Sequence, residues 1–227
     1  MYKNLEIINK VAHKDKFVKN IENFLYSKEQ TNVPITVAEF YEVCKNYSIF
    51  FGKDADNKWF ASAILGFKEK QNNFVDEKGN WEKKHYIPAF IRRYPFILIE
   101  QDEQLLLSIE KEFLSENKDN NAKKIFDGEK NSEFLDNVLN FLNQFFNEAK
   151  LTTIFIEELY KWGLLEEKVA TIVTANNEQY NINGLYIVNE EKLKHLSKKR
   201  KEEIYNKDMM PLIIAHLISL SNINKLG

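Results

Sequence analysis

The chain has 227 residues, 44% of them hydrophobic and 13% aromatic, enough for one large packed domain or two small ones without stapling. Its 32 basic and 34 acidic residues are spread along the sequence for a formal net charge of −2, so neither nucleic acid nor an anionic membrane is indicated as the main partner. The single cysteine, Cys44, excludes an internal disulfide and a cysteine-rich zinc site.

The opening "MYKNLEIINKVAHKDK" lacks the apolar centre and small-residue cleavage pattern of an export signal. No stretch reaches the roughly 20 apolar residues of a transmembrane helix. The expected compartment is therefore a reducing cytoplasm. Residues 1–30 leave two options open: Phe17, Val18, Ile21, Phe24 and Leu25 suit a helical stripe, and "NFLYS" suits a strand.

Helix is predicted to begin within "VPITVAEFYEVCKNY" (33–47), where Thr36 and Glu39 form a capping box and Val37, Phe40, Tyr41 and Cys44 share one face. The lone cysteine on that stripe reads as core. "SIFFGK" and "KWFASAILGF" around "DADN" predict a hairpin, and "DEKGN" (76–80) a turn that needs Gly79. "PFILIE" and "LLLSIE" flank "QDEQ" as a second hairpin, hydrophobic enough to suggest central strands. The polar stretch 115–131 reads as a mobile loop docked by Ile125 and Phe126.

Residues 132–150 place Phe134, Leu135, Val138, Leu142, Phe145 and Phe146 at helical spacing; 153–165 reads as a separate helix ending near Gly163. "KVATIVTA" and "QYNINGLYIV" bracket "NNE" as a third hairpin. Asn189 is placed to cap "EEKLKHL", the basic run in "LSKKRKEE" (196–203) reads as a solvated helix face, and Asp208 is placed to cap a closing helix with Pro211 in its first turn. The mixed order predicts an α+β fold, a single domain (1–227) with a mostly antiparallel, hairpin-built sheet and a helix-rich C-terminal half.

Motifs for chemistry are sparse. There is no Gly-rich phosphate loop, no G-x-S-x-G and no H-E-x-x-H. The four histidines, His13, His85, His195 and His216, are far apart in sequence, so no metal and no cofactor are expected. His216 with Ser219 is a weak nucleophile–base geometry on one helix and reads better as a buried, hydrogen-bonded histidine. The pairs Glu157–Glu158 and Glu166–Glu167 read as exposed acids.

The segment "HYIPAFIRRYPFILIE" (85–100) stands apart. Arginine occurs only as Arg92, Arg93 and Arg200, and lysine supplies every other cationic side chain. Arginine in a lysine background points to a place where a planar, bidentate fork matters. One expectation is a buried Arg–Asp/Glu pair that locks the segment onto the sheet, with Pro88 and Pro95 fixing its path. The other is an anion or peptide-carboxylate clamp formed by Arg92 and Arg93, with Trp81, His85, Tyr86 and Tyr94 as aromatic walls. Read as extended backbone, the segment would send the two arginines to opposite faces.

The longer string "GNWEKKHYIPAFIRRYPFIL" resembles the signature of the SapC-like family of bacterial proteins: G-x-W, a short spacer, then Y-I-P-A-x-x-R-x-Y-P-F. "VPITVAEFYEVCKNYSIFF", "LTTIFIEELYKWGLLEE", "INGLYIVNEEKLKHLS" and "PLIIAHLISLSNINKL" are similar to its other blocks, in one collinear series. Ser48 stands where the family pattern has proline, and "EKQNNFVD" lacks an expected glycine. The resemblance implies a link to a surface-layer locus and carries over no catalytic residues. The leading expectation is thus a non-enzymatic accessory protein, linked to surface-layer or envelope-protein handling, that recognises a peptide or protein partner through Trp81–Tyr94. An alternative is an enzyme on a small anionic or peptide substrate, with the arginines as clamp and His85 or His216 as acid–base. A structural surface-layer component is the third.

Overall fold

The computed structural model of the chain describes residues 1–102, 104–118, 121–173 and 176–226. The N-terminal 30 residues turn out to use short pieces of both kinds: β1 (Leu5–Ile7), α1 (Lys10–His13) and β2 (Phe17–Val18). Next comes β3 (Asn32–Ile35), where helix was expected to begin. Pro34 accounts for the difference: it holds Val33 extended and, on an edge strand, its missing N–H leaves no ladder bond unmade. The capping box at Thr36 and Glu39 does form, opening a single 3-10 turn and then α2 (Phe40–Val43). Phe40 of α2 is buried, Tyr41 exposed and the C-cap residue Cys44 half-buried, so the predicted stripe is only partly core.

The first hairpin, β4 (Ile49–Lys53) with β5 (Trp59–Ile64), pairs as predicted, and Asp54 Oδ1 closes its turn by accepting the Asp56 and Lys58 N–H groups at 3.0 and 2.8 Å. Gly79 adopts φ +80° in the 76–80 turn, with Asn23 and Leu25 packed against its Cα, so a side chain is excluded on two counts. The segment Ala89–Arg92 is one turn of helix, α3, rather than extended chain. The bond Tyr94–Pro95 is cis.

The second hairpin joins β6 (Phe96–Gln101) to β7 (Gln104–Glu110); Glu103 of its predicted turn lies outside the described residues. β7, not β6, is the central strand, flanked by β1 and β6, and the outer ends of both strands are exposed. The polar stretch 115–131 begins at the end of β8 (Leu114–Ser115) and holds β9 (Lys123–Lys124), β10 (Phe126–Asp127) and β11 (Lys130–Asn131). Ile125 and Phe126 are buried and dock it as expected; residues 119–120 lie outside the described set.

Residues 132–165 hold one helix instead of two. α4 (Glu133–Lys161) runs unbroken, capped by the Ser132 hydroxyl and closed before Gly163 at φ +69°. Thr152 and Thr153, at the expected break, keep their hydroxyls within reach of the Glu148 and Ala149 carbonyls and also bond Val37 N–H and the Trp59 carbonyl, so tertiary contacts hold the helix through this point. β12 (Leu165–Val173) and β13 (Gln179–Val188) form the third hairpin, with residues 174–175 outside the described set. Asn189 caps α5 (Glu190–Lys194) and Ser197 caps the solvated α6 (Lys198–Asn206). Asp208 does not cap α7 (Met209–Ser219): it sits at φ +51° with no side-chain bond to the helix.

The fold is α+β. A five-stranded antiparallel sheet runs β12-β13-β4-β5-β3, and a three-stranded one runs β1-β7-β6. Along β4 the strand period of two sends Ile49 and Phe51 into the main core and Phe50 to the opposite face, under Leu226. The C-terminal half of α4 (Phe155, Ile156, Leu159) covers the main core, and its N-terminal half (Leu135, Leu142) packs a second core with Phe96 and Ile109. α4 is thus a beam of 29 residues, about 43 Å at the usual helical rise, that belongs to both cores. The stretch of α4 between those two contacts, 141–148, faces the arginine segment.

Candidate functional site

Glu39 is the anchor. The capping box leaves its side chain 5% exposed, where it accepts four bonds: Thr36 N–H and hydroxyl at 3.0 and 3.1 Å on Oε2, and Tyr86 hydroxyl and Ala89 N–H at 3.0 and 2.7 Å on Oε1. That last bond ties α3 to the 36–39 turn. Tyr86, its pKa pushed up to about 12 by burial and by the Glu39 charge, stays a phenol that donates to Glu39. Its oxygen in turn accepts Arg92 Nη2 at 3.0 Å, while Arg92 Nε donates to the Ile87 carbonyl at 2.9 Å. The Arg92 guanidinium lies 5.5 Å from the Tyr86 ring centre and 5.4 Å from that of Phe141 on α4. Arg92 is exposed, and its N–H groups other than these two make no hydrogen bond among the described residues.

Arg93 is held differently. Its guanidinium stacks 3.9 Å from the Phe90 ring centre, with Phe145 and Tyr2 at 5.4 and 5.9 Å. Burial lowers its pKa, partly offset by a bond with the Tyr2 hydroxyl, and its buried Nε has no hydrogen-bond partner. Among the described residues neither Arg92 nor Arg93 has a carboxylate in ion-pair range. This overturns the expected Arg–Asp/Glu lock. The segment's helical turn also overturns the opposite-face expectation: both arginines line one cleft of about 370 Å³.

That cleft has Lys19 and Lys123 as further cationic walls and, among the described residues, no acidic side chain. Its floor is apolar: Phe134, Val138, Phe141 and Leu142 from α4, with Pro95 and Phe96 opposite. Tyr94 contributes an edge, but its ring is buried, stacked 4.0 Å from Tyr26, and its hydroxyl donates to Glu112 at 3.3 Å. Tyr86 stands behind Arg92 rather than in the cleft wall. Trp81 and His85 are not brought to it. Trp81 is buried, its indole N–H on the Tyr47 hydroxyl at 3.0 Å; His85 sits half-buried against Phe74 and Tyr47. Lys19, Lys123, Phe134 and Phe141 were missed from the sequence.

The SapC family profile matches residues 8–226, nearly the whole chain. The chain belongs to the SapC family. No curated protein and no solved structure shows significant similarity to it. In this family member the acid–base group imagined for an enzyme is not assembled at the arginines. His216 is fully buried, stacked 4.5 Å from Phe51, its Nε2 accepting the Val188 N–H at 3.1 Å. Burial drives its pKa down to about 3, the backbone of Ile49 giving a smaller pull upward. Ser219 beside it donates to the His216 carbonyl at 2.5 Å and accepts the Ile49 N–H, so it is a structural hydroxyl. Among the described residues no group of three or more metal-ligating side chains converges, and no helix is long and apolar enough to cross a membrane.

Proposed function

We propose that the protein is a binding or accessory protein that grips a peptide or protein partner by a carboxylate set beside apolar side chains. The observation that carries this reading is the pair of guanidiniums, exposed Arg92 and half-buried Arg93, held on aromatic rings along one cleft with no counter-ion among the described residues. For Arg93, partly removed from water without a charged partner, a bound carboxylate supplies what is missing, and Arg92 offers its open N–H groups beside it. Lysine would leave the charge but lose the planar stacking and the fork. The partner belongs, on this reading, to surface-layer or envelope-protein handling on the cytoplasmic side.

Isothermal titration tests it with an N-acetylated peptide that ends in apolar residues and a free carboxylate, against its C-terminal amide. The free acid should bind at least about tenfold tighter, and Arg92→Lys or Arg93→Lys should each remove roughly that factor while the Tm holds within a few degrees. Equal binding of acid and amide, or lysine variants that bind like the parent, would sink the reading.

A further inference from the structure

A second cavity, about 290 Å³, shares Arg92 and Phe141 with the cationic cleft but has the opposite polar wall: Glu39 and Glu148 in place of Lys19 and Lys123. Glu39 is spent, since both its oxygens are saturated by the four bonds described above. Glu148 is not. It projects from the middle of α4, is half-buried, and its carboxylate forms no ion pair or hydrogen bond among the described residues; only its backbone carbonyl is used, by Thr152. Arg92 faces the same space with two of its five N–H groups committed. A half-buried carboxylate and an exposed guanidinium thus line one small cavity without reaching each other.

The rest of the wall suits a compact apolar body. Tyr86, Phe141 and Phe145 give ring surface, and Ala38 and Ala89 leave room where larger side chains would fill the space. Aromatic side chains in the same wall as Glu148 also suit an ammonium. We propose that this cavity binds a small zwitterion, an α-amino acid with an apolar side chain, its ammonium on Glu148 and its carboxylate on the open N–H groups of Arg92. The site shares Arg92 with the peptide-binding reading but requires neither a peptide nor the lysine-lined cleft.

Titration of the Arg93→Lys protein, in which the larger cleft's hold on carboxylates is weakened, with L-phenylalanine, N-acetyl-phenylalanine and phenylalaninamide decides it, because the last two each lack one charge. Phenylalanine should bind at least about tenfold tighter than either analogue. Glu148→Gln, whose side chain holds nothing in the fold, should keep the parent's Tm and erase the preference for phenylalanine over its N-acetyl form. Lys123→Gln should leave phenylalanine binding unchanged and weaken only the N-acetylated peptide. The inference is overturned if the N-acetyl compound binds as tightly as phenylalanine, if Glu148→Gln preserves the preference, or if phenylalanine shows no saturable binding at millimolar concentration. N-acetylated peptide binding that survives any of these results leaves the larger cleft's reading standing by itself.

Discussion

Glu39 shows how one side chain sets both stability and the posture of the site. Four donors converge on its carboxylate, and a glutamine can accept on one side only. Glu39→Gln should therefore lower unfolding stability by about 2 kcal/mol or more, and Tyr86→Phe, which removes one hydroxyl and the rest held for Arg92, by about 1 kcal/mol; urea denaturation measures both. A neutral Glu39→Gln would mean the network carries no stability. His216 makes a different demand. With its folded pKa depressed to about 3, the fold requires the neutral ring, while the unfolded chain takes up a proton near pH 6.5. Its contribution is complete above about pH 6.5 and is lost as pH falls from there towards 3, at up to about 1.4 kcal/mol per pH unit. His216→Phe removes that proton, leaves the Val188 N–H unpaired, and should be less stable than the parent at pH 7. The gap should close as pH drops to 4, and parallel pH–stability curves for the two would refute this.

At the scale of elements, α4 carries most of the consequence. Its exposed Asn147 lies on the stretch between the two cores, beside the residues that wall both cavities. Asn147→Pro should cost about 3 kcal/mol or more and Asn147→Ala should gain a few tenths, read by denaturant midpoint. A proline tolerated there would mean that the cores do not depend on an unbroken helix. The continuity of α4 was hidden in the sequence because the stripe Phe134–Phe146 and the apolar run after Thr153 are joined by the polar, β-branched "NEAKLTT", which looks like a break. The threonine hydroxyls resolve it by bonding Val37 and Trp59 across the fold, a tertiary effect that periodicity does not report. The hairpins β4–β5, β6–β7 and β12–β13 were legible because turn residues and short apolar runs on either side of them are local signals. The site was legible in part. Scarcity singled out Arg92 and Arg93, but the opposite walls come from residues 19, 123 and 134–148, brought in by tertiary packing. One signal was available: Phe141 sits beside the core stripe, widening the apolar face beyond what one contact uses.

For the molecule as a whole, the arginine cleft sets stability against function. Arg93 is a desolvated cation stacked on Phe90 with a buried, unpartnered Nε, placed where α4 passes between the cores. An apolar side chain of similar length relieves the desolvation cost of an unpaired, partly buried charge. Arg93→Met should therefore keep the parent's stability or raise it by up to about 1 kcal/mol, the methionine still covering Phe90. An apolar carboxylate reveals what the arginine is kept for. If phenylacetate binds the parent with a millimolar Kd, a tenfold excess should stabilise it by about 1.4 kcal/mol through mass action alone, whereas neutral phenylacetamide should give no gain. In Arg93→Met the phenylacetate gain should shrink to the share that Arg92 supplies alone. Thermal melts of both proteins in both compounds separate the terms. A variant that is much less stable without ligand would make Arg93 a structural residue, and a variant that keeps the full phenylacetate shift would remove it from the anion site.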